Sequence, residues 1–178
     1  MACNDALLER LQGARKVIIS STELTSAWIV KLLPSSSRLE EVRLRMGESS
    51  QVDNIPPMNL PNLTYLYLDP PPKSTQTSDS SLFFNSLNAP RLRSLELDHP
   101  KLQDLSFLST TSSLEQLLLC DLHIPERVSA KAAASALVES IKDWSTLWAL
   151  SLYASSSTHS IFYEQLVQLL TPFSREGV

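Results

Sequence analysis

One short frame, apolar-x-x-apolar-x-apolar, recurs along the chain and constrains the fold more than any other feature. It occurs at Leu39-x-x-Val42-x-Leu44, Leu63-x-x-Leu66-x-Leu68, Leu92-x-x-Leu95-x-Leu97, Leu114-x-x-Leu117-x-Leu119 and Leu147-x-x-Leu150-x-Leu152. A weaker copy, Ala14-x-x-Val17-x-Ile19, precedes them. The starts at 14, 39, 63, 92, 114 and 147 lie 25, 24, 29, 22 and 33 residues apart. The last x-apolar-x-apolar part of the frame reads as a short strand, because alternate side chains of a strand point to opposite faces. A single such strand cannot bury its apolar side alone. Neighbouring copies must therefore stack, and the repeat sets the architecture.

Repeats of about 20–29 residues are the leucine-rich-repeat range, so four intervals fit and the last carries an insertion. The expected fold is α/β: a right-handed leucine-rich-repeat solenoid of about six rungs, with a parallel concave β-sheet and helices and irregular turns on the convex side. The 178 residues form one expected domain, with strands near 16–20, 41–45, 65–69, 94–98, 116–120 and 149–153. The approach to a further strand after Thr171 points to truncation at the C-terminal end, because a solenoid needs a terminal rung with a polar outer face.

Between the strands, Thr22–Leu33 is a helix stopped by Pro34. Ser129–Trp144 is an alanine-rich helix with Ser129 as its cap and Ala133, Leu137, Ile141 and Trp144 on one face. A last helix from Ser160 to Thr171 turns Phe162, Leu166, Leu169 and Leu170 inward. Asn4–Leu11 reads as a first convex helix, and Leu82–Leu87 and Leu102–Leu108 fill tighter rungs. Two polar, proline-containing stretches, Gly47–Asn59 and Pro70–Ser81, read as rim loops. They are either tolerated insertions or partner-gripping, phosphorylatable segments, the former being the commoner case.

The chain carries a net charge of -4 and no basic stripe, which argues against nucleic acid as a partner. No apolar run is long enough for a membrane span, and the first residues lack the pattern of a secretory signal. Two cysteines, Cys3 and Cys120, read as free thiols of a reducing compartment, the cytoplasm or the nucleus.

The phrases Leu60-Pro61-Asn62-Leu63-Thr64-Tyr65-Leu66 and Ala89-Pro90-Arg91-Leu92-Arg93-Ser94-Leu95-Glu96-Leu97 resemble the repeats of fungal F-box-like proteins. Gln165-Leu166-Val167-Gln168-Leu169-Leu170-Thr171-Pro172 is similar to the helix leading into the next such repeat. The resemblance covers most of residues 14–172. It implies repeats that select a substrate for a cullin ubiquitin ligase, whose Skp adaptor is held by an N-terminal F-box. Two features depart from that pattern: Asn4–Ser20 reads as a helix and a first rung rather than an F-box, and the asparagine-ladder positions are Gly47, Pro71, Pro100, Leu122 and Ser155. An adaptor is an expected partner only if an F-box lies outside this chain.

Strand alternation places an outward row on each rung, and these rows form the candidate partner-binding face. Its residues are Glu41, Arg43 and Arg45; Tyr65, Tyr67 and Asp69; Glu96 and Asp98; Gln116 and Leu118; and Tyr153. Lys16, Ile18, Ser20, Ser94, Cys120, Ala149 and Ser151 complete the rows. Arg43, Tyr67 and Glu96 share one expected ladder, with Arg43 over the Tyr67 ring; Arg45, Asp69 and Asp98 share the next. Tyrosine and arginine are favoured interface anchors, although cross-strand pairs of these types also simply stabilise a sheet. Asp69 beside Asp98 without an intervening cation would repel. His99, Asp121 and His123, just beyond the strand ends, read better as exposed turn residues than as metal ligands.

No nucleophile elbow, phosphate loop, His-Glu-x-x-His or Cys-x-x-Cys is present, and three glycines cannot build a phosphate cradle. The expected function is therefore a non-enzymatic, cofactor-free protein-binding module. The alternative is a structural repeat fragment without a partner of its own.

Overall fold

A computed structural model describes residues 11–21, 26–34, 38–46, 55–69, 80–111, 113–125, 127–141, 145–153 and 160–170. Six strands form one parallel sheet: β1 (Lys16–Ser21), β2 (Glu41–Met46), β4 (Tyr65–Asp69), β6 (Ser94–Asp98), β7 (Gln116–Cys120) and β8 (Ala149–Tyr153). They lie side by side in chain order, each paired in parallel with the next. The fold is thus α/β with a parallel sheet that grows in one direction.

The register is set by the frame itself. Val17, Val42, Leu66, Leu95, Leu117 and Leu150 stand level across the sheet, as do Ile19, Leu44, Leu68, Leu97, Leu119 and Leu152. A slip of one residue would turn both rows into solvent, so burial specifies the pairing. Each joint also closes with the same backbone contact. The carbonyl just ahead of one strand accepts two successive N–H groups of the next: Arg15 from Glu40 and Glu41, Glu40 from Thr64 and Tyr65, Thr64 from Arg93 and Ser94. Arg93 takes Glu115 and Gln116 in the same way, and Glu115 takes Trp148 and Ala149.

The connecting segments cover one side of this sheet. They contain α1 (Ser26–Leu32), α2 (Ser80–Asn85), a 3-10 helix (Leu102–Thr110), α3 (Ala130–Ser140) and α4 (Ser160–Leu170). The 3-10 helix packs between α2 and α3, and α3 packs against α4. Phe84 of α2 stacks on Phe107 of the 3-10 helix, with ring centres 4.1 Å apart and planes within 5°. Ala133, Ala134 and Leu137 of α3 are buried. Small alanines at these positions let the helix approach its neighbours closely, and side chains three and four apart share that face.

Several expected boundaries move. The Ser129 cap is observed, its hydroxyl accepting the Ala132 N–H at 3.2 Å. The helix it starts ends at Ser140, four residues before the expected Trp144, which lies outside the described residues. Ile141 has already turned extended (φ -96°, ψ 91°) and its N–H closes on Val138. The apolar side chain of Ile141 is still buried, so the inward spacing runs on past the helical backbone. The helix expected from Thr22 is described from Ser26, with Pro34 just after its end. Leu87 belongs not to a helix but to a two-residue strand, β5 (Leu87–Asn88), paired with β3 (Met58–Asn59).

That pairing corrects the reading of Gly47–Asn59 as a polar rim loop. Residues 47–54 lie outside the described part, but Ile55 and Met58 are buried core residues, and Ser86 caps the Ile55 carbonyl with its hydroxyl at 2.7 Å. Two apolar side chains among prolines and asparagines were enough to fold the end of this stretch inward. Of the second expected loop, 70–79 lies outside the described residues, whereas Ser80 and Ser81 open α2. Cys3 and the expected helix over residues 4–10 also lie outside them.

Candidate functional site

The outward rows of β2, β4 and β6 carry the chemistry of the exposed sheet face. The parallel ladder sets Glu41 level with Tyr65, Arg43 with Tyr67, and Arg45 with Asp69. It sets Tyr67 level with Glu96 and, one joint further, Glu96 with Leu118 and Asp98 with Cys120. The candidate residues named from the sequence fall in the strand rows expected for them, all but Asp69 at least partly exposed. Gln116 accepts from the Ser94 hydroxyl at 3.3 Å, Leu118 is half-buried, and Tyr153 on β8 is 62% exposed.

Polar contacts on the face run diagonally as well as level. The Tyr65 hydroxyl donates to Glu96 at 2.6 Å, and the Tyr67 hydroxyl donates to Asp98 at 2.7 Å. Each tyrosine thus reaches the acid one strand over and two residues further along than its level partner. Burial, reinforced by these carboxylates, raises both phenol pKa values well above the ordinary 10.0. Both hydroxyls therefore remain protonated donors at neutral pH.

Two expectations about this network are corrected. The Arg43 guanidinium lies 4.8 Å from the centre of the Tyr65 ring rather than over Tyr67. Its Nε donates to Glu41 at 2.8 Å, which draws the head back along its own strand toward Tyr65. Lys16 contacts the same Glu41 oxygen at 2.9 Å, and the bonds from Lys16 and then Arg43 lower the Glu41 pKa from 4.5. The expected repulsion between Asp69 and Asp98 is relieved from both sides. Arg45 Nε donates to Asp69 at 2.8 Å, and the Tyr67 hydroxyl serves Asp98. Asp69 is correspondingly buried, at 8% exposure, where the sequence reading had it on the open face. A buried carboxylate needs such a partner.

Cys120 sits beside these acids as a free thiol. Burial first, then its hydrogen bond to Asp98 and the charges of Asp98, Glu96 and Asp121, push its pKa up to about 12. A thiol so placed is a poor nucleophile. Beyond the strand ends, His99 and Asp121 occupy equivalent turn positions with left-handed backbone, φ 49° and 52°. Their side chains approach to 3.9 Å. Among the described residues, no group of three or more His, Cys, Asp or Glu side chains is arranged to hold a metal ion.

A second row, one residue ahead of the strands, was missed from the sequence. Arg15 forms a two-point contact with Glu40, at 2.9 and 2.7 Å, and Arg93 lies 3.5 Å from Glu115. Trp148 ends the row at 70% exposure. The available signal was the first x of each frame, which reads Arg15, Glu40, Thr64, Arg93, Glu115 and Trp148: two basic–acidic pairs separated by a threonine and followed by an aromatic. On the opposite side of the fold, a groove of about 310 Å³ between α2, β5 and the 3-10 helix is lined by Phe84, Leu87, Pro90, Phe107 and Ser113 among others. It lies away from these rows.

Among the described residues, no helix is long and apolar enough to cross a membrane. No family model, curated protein or solved structure matches the chain.

Proposed function

We propose that the chain is a leucine-rich-repeat solenoid that binds a protein partner across the concave, exposed face of its sheet. Support for the repeat reading comes from six parallel strands added in chain order, each carrying the same frame in the same register. The observation that carries the binding reading is the ordering of Tyr65 and Tyr67. Their hydroxyls are tied to Glu96 and Asp98 while their rings stay half-open on the face. Aromatic anchors fixed in advance lose little freedom when a partner arrives, which favours affinity. Arg43, Arg45, Glu96 and Asp98 around them set charge register and partner choice. The narrower reading, substrate selection for an F-box-type ubiquitin ligase, follows from the sequence resemblance and requires an F-box outside this chain.

The test compares proteins captured from a native lysate by the wild type and by Tyr65→Ala/Tyr67→Ala/Asp98→Arg, after circular dichroism shows the variant folded. Partners lost only in the variant support the face as the binding surface. An unchanged set of partners, or none with either protein, overturns it.

A further inference from the structure

Charge is divided unevenly across the exposed face of the sheet. Its cations, Lys16, Arg43 and Arg45, stand on β1 and β2. They meet only two acids there, because Lys16 and Arg43 share Glu41 while Arg45 holds Asp69. One positive charge is left in excess on this side. Glu96 and Asp98 stand on β6, and β6, β7 and β8 contain no lysine or arginine. Among the described residues, the hydrogen-bond partners of these two acids are the hydroxyls of Tyr65 and Tyr67 and the Cys120 thiol, none of them charged.

The two halves do not cancel. β4 lies between β2 and β6, which sets them about 10 Å apart, about one Debye length at 0.1 M salt. The bond to its own acid, Glu41 or Asp69, is the first cause that raises each arginine's pKa, and the acid on β6 is the weakest. The setting of Glu96 is also apolar. It stands level with the Tyr67 ring on one side and with half-buried Leu118 on the other. A cation arriving there can lay its alkyl stem along these groups while its head meets the carboxylate.

We propose that the partner on this face is a protein segment of matching polarity, with basic side chains over Glu96 and Asp98 and an acidic side chain about 10 Å away over Arg43 and Lys16. This inference rests on the reading of the face as a binding surface, and it adds the partner's chemistry and direction. Arginine suits the β6 side, since its fork can bond a carboxylate while its plane lies on a tyrosine ring. Polyanions such as a phosphate backbone match only the β2 side and meet repulsion at β6. A wholly basic segment meets the reverse.

The test selects displayed random peptides of about 12 residues, long enough to cross the sheet when extended, on three forms of the whole chain. These are the wild type, Glu96→Gln/Asp98→Asn and Tyr65→Ala/Tyr67→Ala. The two amides still accept the tyrosine hydroxyls but carry no charge, and circular dichroism checks that each variant is folded. Peptides selected on the wild type should combine lysine or arginine with an acidic residue. Resynthesised, they should bind Glu96→Gln/Asp98→Asn about tenfold more weakly and lose binding to the tyrosine variant. Peptides lost from the tyrosine variant but lacking the paired charges, or held unchanged by Glu96→Gln/Asp98→Asn, leave the face standing and overturn the inference. Peptides that bind all three forms alike sit elsewhere on the molecule and overturn the face reading with it. A failure to enrich any peptide above bare support does the same.

Discussion

The guanidinium of Arg43 sits 4.8 Å from the centre of the Tyr65 ring while its Nε holds Glu41, so one cation serves an acid and an aromatic at once. The head is partly exposed, which keeps its attraction to the ring to about 0.5–1 kcal/mol. A double-mutant cycle of Arg43→Ala with Tyr65→Leu, read from urea unfolding, should return a coupling of that size. A coupling indistinguishable from zero would mean the contact is incidental.

Core substitutions should show a gradient along the sheet. Leu95 is fully buried at β6, so Leu95→Ala should cost about 2–5 kcal/mol through lost burial and a residual cavity. Leu150 holds the same frame position on β8 but is half-buried, and Leu150→Ala should cost roughly half as much by the same rule. Chemical denaturation of the two variants makes the comparison.

Alkaline pH should act through the tyrosines. Their folded pKa values are raised above 10.0, chiefly by burial and then by Glu96 and Asp98, so the fold favours the neutral phenols. The resulting stability is fully present below pH 10 and is lost as pH rises towards the folded values. Tyr65→Phe/Tyr67→Phe should reduce this alkaline slope, leaving the part carried by Cys120 and Tyr163, whose pKa values burial also raises, and at pH 7 it should cost about 0.5–1.5 kcal/mol per lost hydrogen bond. The acid side runs the other way: the lowered pKa of Glu41 gives a contribution present above 4.5 and lost as pH falls through the depressed value. Thermal melts of both proteins from pH 3 to 11 test the two limbs.

Cys120 should resist alkylation in the folded protein. With its pKa pushed to about 12, its thiolate is scarce at pH 8, and iodoacetamide should label it at least about a hundredfold more slowly than after denaturation. Peptide mass mapping over time distinguishes it from Cys3. Equal rates in folded and denatured protein would show that the thiol is not shielded.

Removing the α3 cap should weaken the side of the sheet covered by α3 and α4. Ser129→Ala loses the hydroxyl that accepts the Ala132 N–H and should cost about 0.5–2 kcal/mol. Ser129→Asp should recover most of this, because its carboxylate can take the same N–H and is favoured at a helix N-terminus.

Strand positions and the composition of the face were legible because side-chain period and burial act residue by residue. Val42 and Leu44 had only one side of a strand on which to be buried, and that choice placed Arg43 and Arg45 outside. Who touches whom was less legible. Side chains as long as arginine and tyrosine choose among level and diagonal neighbours by hydrogen-bond geometry, which no spacing rule contains. Arg43 accordingly went to Tyr65, and the hydroxyls of Tyr65 and Tyr67 crossed to the next acid along. Ile55 and Met58 were hidden by their setting, since prolines and asparagines around them imitate an exposed loop.

The diagonal course of the two tyrosine contacts has a mechanical meaning. Level pairs across a sheet resist prising two strands apart but say little about sliding one along the other. A strut set at a slant resists sliding, as a brace does in a rectangular frame. Tyr65 to Glu96 and Tyr67 to Asp98 slant the same way across the junction of β4 and β6. That junction is stiffened against shear in one sense, so under load along the strands it should yield more readily in the other.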